Sequence, residues 1–195
     1  MTGSHSPVPH RPLTAILTVV VPLLFAAGAV IWVFSFAGEL PDPVAVHWGA
    51  NGRPDGFGTW QSAIGIMSLV ALLMCALAAV IGIGLGRAAA TRRLSVFLGL
   101  WSGIALPWFI AGTLHLQRGL ADAHQAPDVN QPLWISFVVA ALIAGAGAAL
   151  VPGDARMPAL DAVPADAVRL RLEDTEVASW RRTMQIPGFH WIAGV

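Results

Sequence analysis

Long apolar segments alternate with short polar ones along this chain. Each apolar segment lacks Asp, Glu, Lys and Arg and reaches the ~20 residues that a helix needs to cross a bilayer. Four such segments cover residues 13–37, 62–86, 94–116 and 132–151. The pattern predicts an all-α membrane protein built as a bundle of four transmembrane helices.

The polar segments predict two tails and three connections. The tails are residues 1–12 and 152–195, and the connections are residues 38–61, 87–93 and 117–131. A cleaved signal peptide is the alternative interpretation of the first apolar segment, but its apolar run exceeds the ~7–15 residues usual there. We therefore expect a retained helix that is kinked at Pro22.

The distribution of arginine predicts the orientation of the bundle. All eleven basic residues are Arg, and only Arg53 and Arg118 lie in the connections 38–61 and 117–131. Because basic residues are enriched on the cytoplasmic side, both termini and the 87–93 connection are expected inside the cell. The other two connections are then extracytoplasmic, with Trp32, Trp60 and Trp134 near the outer interface.

Small residues recur at four-residue spacing in three of the predicted spans. Such residues let helices approach closely, which matters in lipid because the hydrophobic effect does not drive helices together there. We expect them to form the helix-packing contacts of the bundle. They are Ala78, Gly82 and Gly86 in the second span, Gly99 and Gly103 in the third, and Ala141, Gly145 and Ala149 in the fourth.

The segment Leu40–Trp60 predicts an irregular hairpin. Val44, Val46 and Trp48 alternate with less apolar residues, which is typical of a strand. Asn51-Gly52 is typical of a tight turn, and Pro54-Asp55-Gly56 predicts a second turn.

The C-terminal tail resembles soluble protein in composition. The alternation over residues 168–172 predicts a strand, and Thr175 is expected to cap a helix carrying Val177, Trp180 and Met184 on one face. The apolar end, residues 189–195, is too short to span a bilayer. It is either an interfacial anchor or the opening of a fifth span.

Composition excludes several classes of function. The chain is 56% hydrophobic and 11% charged, with mean hydropathy +0.68 and zero formal net charge, so nothing favours a nucleic-acid partner. No ionisable Asp, Glu, Lys or Arg lies within the predicted spans, which argues against proton- or ion-coupled transport. Because no catalytic or nucleotide-binding motif is present, we expect neither enzymatic activity nor a cofactor.

The most reactive side chains lie in the extracytoplasmic connections. His47 and Asp55 are the leading pair, and His115, Asp122 and His124 are expected on the same side. A histidine and a carboxylate could bind a divalent metal, or Asp55 could accept hydrogen bonds that stabilise the loop. We expect the structural role, with no metal, and a recognition surface formed by Pro41, His47, Trp48, Gly52, Pro54 and Asp55.

The hairpin segment resembles the N-terminal domain of unknown function of the SdpI bacteriocin-immunity family. That domain has LP, a valine-rich stretch, His and then G-x-P-D between two spans. The residues of this chain that fit are Leu40, Pro41, Val46, His47, Gly52, Pro54 and Asp55. The resemblance implies a bacterial plasma-membrane protein that gives immunity to a toxin or signals by holding a repressor at the membrane.

These observations together predict a non-enzymatic multi-pass protein of the bacterial cell membrane. Its expected role is immunity to, or sensing of, an envelope-active peptide or envelope stress. The alternatives are an accessory subunit whose tail binds a cytoplasmic regulator, and a metal-dependent envelope enzyme. The expected partners are the lipid bilayer and a peptide toxin or a cytoplasmic protein.

Overall fold

A computed structural model describes residues 8–154 and Thr175 of the chain. It confirms the predicted class, because the chain is mostly helical and four helices are long and apolar enough to cross a membrane. They are Arg11–Glu39, Trp60–Leu85, Ala89–His115 and Asn130–Ala149, called here the first to fourth helices. The predicted strand, helix and apolar end of the tail lie outside the described residues, apart from the exposed Thr175.

The first helix changes its hydrogen bonding ahead of Pro22. It begins at Arg11, before the predicted start, and contains a π-helical turn over Ile16–Val20. Proline has no backbone N–H and its ring crowds the preceding turn, and a wider π turn accommodates both defects. The helix then continues as an α-helix over Val21–Phe36 and ends in a 3₁₀ turn.

The third helix begins at Ala89, so most of the connection predicted at 87–93 is helical. The Asp154 carboxylate caps this helix, because both of its oxygens accept the Ala89 N–H at 2.8 and 2.9 Å. The Arg92 guanidinium is completely buried beside it and donates to Asp154 and to the carbonyls of Gly86, Arg87 and Pro152. The third helix therefore carries Arg92 and Arg93 in its first turns, ahead of the predicted span 94–116.

Small residues bring the first and second helices against the third, which is the most buried of the four. A Cβ built at Gly103 would overlap Pro22 and come within 2.9 Å of the Cys75 sulfur. At Gly99 it would lie 3.4 Å from both Ala78 and Thr18, and at Gly82 it would lie 2.9 Å from Ser95 and Thr14. Close packing at these positions therefore depends on the absence of a side chain.

The packing face predicted for the fourth helix is wrong by about one residue. Ala140 and Ala144 are completely buried, and a Cβ at Gly147 would overlap Leu100 of the third helix. The predicted Ala141, Gly145 and Ala149 lie on a neighbouring, more exposed face, and nothing lies within 4 Å of a Cβ at Gly145. A helix this rich in alanine and glycine offers several small-residue stripes, and packing selects one of them. Gly86 follows the end of the second helix, and a Cβ built there would lie 2.7 Å from the Arg92 side chain of the third helix, so this glycine does permit close packing.

Large apolar side chains are exposed along the first, second and fourth helices and at Leu94 and Leu98 of the third. Such continuous apolar surface is stable against lipid and would be a liability in water. Trp134 is also exposed, whereas Trp32 is partly buried and stacks on Trp108. The most exposed residues include Leu24, Ile31, Phe34, Leu73, Leu85 and Leu142.

A hairpin connects the first and second helices. Strand β1, Val44–Trp48, pairs antiparallel with strand β2, Pro54–Gly58, and the register is irregular on both sides of His47. The second turn predicted at Pro54-Asp55-Gly56 is wrong, because these residues belong to β2. The irregular pairing lets a proline, which has no N–H for a ladder bond, begin this strand.

Candidate functional site

The tip of the hairpin is a turn held by its own backbone. The Gly49 N–H donates to the Arg53 carbonyl, and the Gly52 N–H donates to the Gly49 carbonyl, both at 2.9 Å. Gly52 has φ of +73°, a conformation that glycine adopts without the strain a side chain would bring. The Asn51 side chain accepts the Arg53 N–H at 3.0 Å, which closes the turn.

The hairpin brings His47 and Asp55 into contact. His47 Nδ1 lies 2.5 Å from Asp55 Oδ1, and both side chains are more than half exposed. Two glycines make room for this pair. A Cβ at Gly56 would lie 2.8 Å from the His47 Cβ, and one at Gly49 would lie 2.9 Å from Asp55 Oδ2. The pair therefore links β1 to β2 on the solvent side.

Gln117 fixes the hairpin to the third helix. This side chain is completely buried, its Oε1 accepts the Ala45 N–H at 2.7 Å, and its Nε2 donates to the Ala45 carbonyl at 3.0 Å. The side-chain amide thus bonds to the Ala45 backbone in the way that a residue of an adjacent strand would. Sequence analysis placed Gln117 in a polar connection and missed this role. Gln117 lies on the same helix face as the buried Thr113 and Leu114, and this spacing was the available signal.

A second attachment joins the end of the first helix to the loop after the third. The Arg118 guanidinium donates to both Glu39 carboxylate oxygens at 2.8–3.0 Å and lies 5.1 Å from the centre of the Phe36 ring. The Gly119 N–H also donates to the Glu39 carbonyl at 2.7 Å. Bidentate arginine–carboxylate pairs fix orientation as well as distance.

The loop between the third and fourth helices packs against the hairpin. Ala123 and Ala126 form a small buried cluster with Ala45, bordered by Phe57. The centres of the His124 and Phe57 rings lie 4.3 Å apart. The backbone N–H and imidazole of His124 both hydrogen bond to Asp122, which holds the pKa of that carboxyl below its usual value. The two extramembrane segments therefore form a single packed layer.

An open polar cleft lies where the hairpin tip meets this loop. Its volume is about 470 Å³. The Trp48 indole forms one wall and is held by a hydrogen bond from Nε1 to the Pro127 carbonyl at 3.0 Å. Asp128 also lines the cleft, and its Oδ1 accepts the Asn130 N–H at 2.9 Å. The rest of the lining comes from residues 49–52, Val129 and Asn130.

The predicted reactive residues occupy three separate places. His47 pairs with Asp55, His124 pairs with Asp122, and His115 stacks on Trp32 inside the bundle. Among the described residues, no three His, Cys, Asp or Glu side chains are grouped as a metal site would require. Of the predicted recognition residues, Trp48 and Gly52 line the cleft, whereas His47 and Asp55 form a separate solvent-exposed pair.

Comparison with known protein families gives a match for one segment of the chain. Residues 23–74 match the family described as "Domain of unknown function (DUF1648)". This match spans much of the first helix, the whole hairpin and the first part of the second helix, and the domain is found in SdpI-like proteins. No curated protein and no solved structure matches the chain.

Proposed function

We propose that this chain is a non-enzymatic protein of the bacterial plasma membrane that binds a cationic, envelope-active peptide and gives immunity to it or senses it. The observation that carries this proposal is the cleft between Trp48 and Asp128, held on a layer that Gln117 and Arg118 attach to the bundle. A rigid layer loses little conformational entropy on binding, which favours recognition.

Charge supports a cationic ligand. At the hairpin end of the bundle, acidic side chains outnumber basic ones, and Arg118 is already paired with Glu39. An indole face and a carboxylate in one cleft suit a lysine or arginine side chain, through cation–π and ionic attraction. The acidic residues at this end are Glu39, Asp42, Asp55, Asp122 and Asp128, and the basic ones are Arg53 and Arg118.

The same distribution supports an outward-facing hairpin with both termini in the cytoplasm. Arg11, Arg87, Arg92 and Arg93 lie at the opposite end of the helices, where Asp154 is the acidic residue among those described. Single cysteines in a Cys75→Ser background test this orientation. A membrane-impermeant thiol reagent should label intact cells at Gln125→Cys and leave Ala88→Cys unlabelled. The reverse labelling pattern would show that the orientation is the opposite one.

The presence of DUF1648 in SdpI-like proteins supports immunity as the biological role. The test is a deletion strain challenged with cationic envelope-active peptides and complemented with variants. Asp128→Asn keeps the Oδ1 acceptor for Asn130 but removes the charge, so it should lose protection. Trp48→Ala should lose protection as well. Asp42→Asn removes one negative charge outside the cleft and is the matched control.

We expect the deletion strain to be more sensitive than the parent. Complementation with Asp42→Asn should restore normal resistance, and complementation with Asp128→Asn should not. Equal sensitivity of the parent and deletion strains to cationic peptides would refute the proposed role. If both cleft variants protect fully, the proposed immunity role still holds, but the cleft is not the site that provides it.

A further inference from the structure

An open cavity lies between the first, third and fourth helices, in the half of the bundle that is nearer to the hairpin. Its volume is about 420 Å³, within the ~300–1,000 Å³ typical of small-molecule sites. The first helix lines it with Phe25 and Trp32, the third helix with Trp108, and the fourth helix with Ile135 and Val139. The cavity is separate from the polar cleft and shares no residue with it.

The walls of this cavity offer hydrocarbon contact. Two polar groups in the wall are already bonded within the protein, since Trp108 Nε1 donates to the Phe25 carbonyl at 3.0 Å and Ser136 Oγ donates to the Pro132 carbonyl at 2.6 Å. Water in such a space would have few partners, and apolar cavities stay dry and accept apolar ligands.

One end of the cavity is polar. His115 and Gln131 lie there, on the side of the hairpin. Arg118 Nη1 is 3.4 Å from His115 Nδ1, and because a guanidinium can only donate, Nδ1 is the acceptor of this contact and Nε2 is left as the donor. The Gln131 amide both donates and accepts. This end therefore suits a carbonyl or carboxyl group.

The cavity also has access to the bilayer. Ile135 and Val139 line it, yet they are 55% and 46% exposed on the outer surface of the fourth helix. Ile104 on the opposite wall is only 3% exposed. An apolar chain in the membrane could therefore enter sideways past the fourth helix and reach residues that are otherwise shielded from lipid.

We propose that this cavity binds the hydrocarbon chain of an acyl lipid, with the carbonyl end of the chain at His115 and Gln131. Apolar walls, a polar end on the hairpin side and a lateral opening match the three parts of such a molecule. The bound chain would contact Trp32, which packs in the same apolar core as Val44 of the hairpin. This inference does not depend on the proposed peptide ligand.

Photo-crosslinking tests the proposal. The purified protein would be placed in lipid nanodiscs that contain phosphatidylcholine with a diazirine in one acyl chain, and cross-linked residues would be located by mass spectrometry. We expect labelling of Ile104, which is only 3% exposed and which a chain outside the bundle cannot reach. Val139→Phe fills the cavity and should abolish this labelling. Val138→Phe, on the neighbouring exposed position, is the matched control and should retain it.

Two results would overturn the proposal. One is labelling confined to the outer faces of the helices, for example at Leu24 and Leu73, with none at Ile104. The other is unchanged labelling of Ile104 in a folded Val139→Phe variant. The pattern in the parent protein decides the question even if Val139→Phe fails to fold.

Discussion

Replacing Gln117 by leucine should release the hairpin from the bundle. Leucine keeps most of the buried volume, so the change removes the two hydrogen bonds to Ala45 without opening a large cavity. The N–H and carbonyl of Ala45, which is itself completely buried, then lose their partners on the inner edge of β1. We expect a local loss of stability in the hairpin, with the four helices retained.

The size of this effect follows from the two orphaned groups. A buried donor or acceptor without a partner costs about 1–3 kcal/mol, so the loss of both should cost about 2–6 kcal/mol. Since 1.4 kcal/mol corresponds to a factor of ten in an equilibrium constant, opening of the hairpin should increase at least about 30-fold. The remaining attachment, Arg118 to Glu39, still holds the end of the first helix.

Hydrogen exchange of the Ala45 amide in detergent or nanodiscs measures this opening directly. Gln125→Ala, at an exposed position of the neighbouring loop, is the control and should leave the exchange rate unchanged. If Ala45 exchanges equally slowly in Gln117→Leu and in the parent, the side-chain amide does not hold the hairpin and the reasoning fails.

Two further predictions concern the bundle. Gly103→Ala should destabilise the protein by about 1–3 kcal/mol through overpacking against Pro22 and Cys75, whereas Gly145→Ala should not; equal melting temperatures would contradict this packing. At the start of the third helix, the Ala89 N–H, aided by Arg92, lowers the pKa of Asp154. The ionised carboxylate therefore stabilises the fold above the ordinary aspartate pKa of about 3.9, and this stabilisation should disappear as pH falls through the lower folded-state value. Asp154→Asn should melt below the parent at pH 7 and show less dependence on acid, and an unchanged pH profile would argue against the contact.

The sequence alone determined the features that depend on neighbouring residues. Each spanning segment carries its own apolar composition, so the four helices could be predicted without knowing how they pack. The turn at Asn51-Gly52 and the alternation from Val44 to Trp48 are equally local. The proximity of His47 and Asp55 follows from a hairpin in which only eight positions separate them.

The tertiary structure decided everything that depends on residues far apart in the chain. Gln117 meets Ala45 across 72 positions, and Asp154 reaches the start of the third helix across 65. No local pattern encodes such pairs, because the spacing between them is set by how the helices pack. The packing stripe of the fourth helix and the cavity beside it have the same origin. Several small-residue stripes satisfy the sequence pattern, and only contact with the third helix selects Ala140 and Ala144.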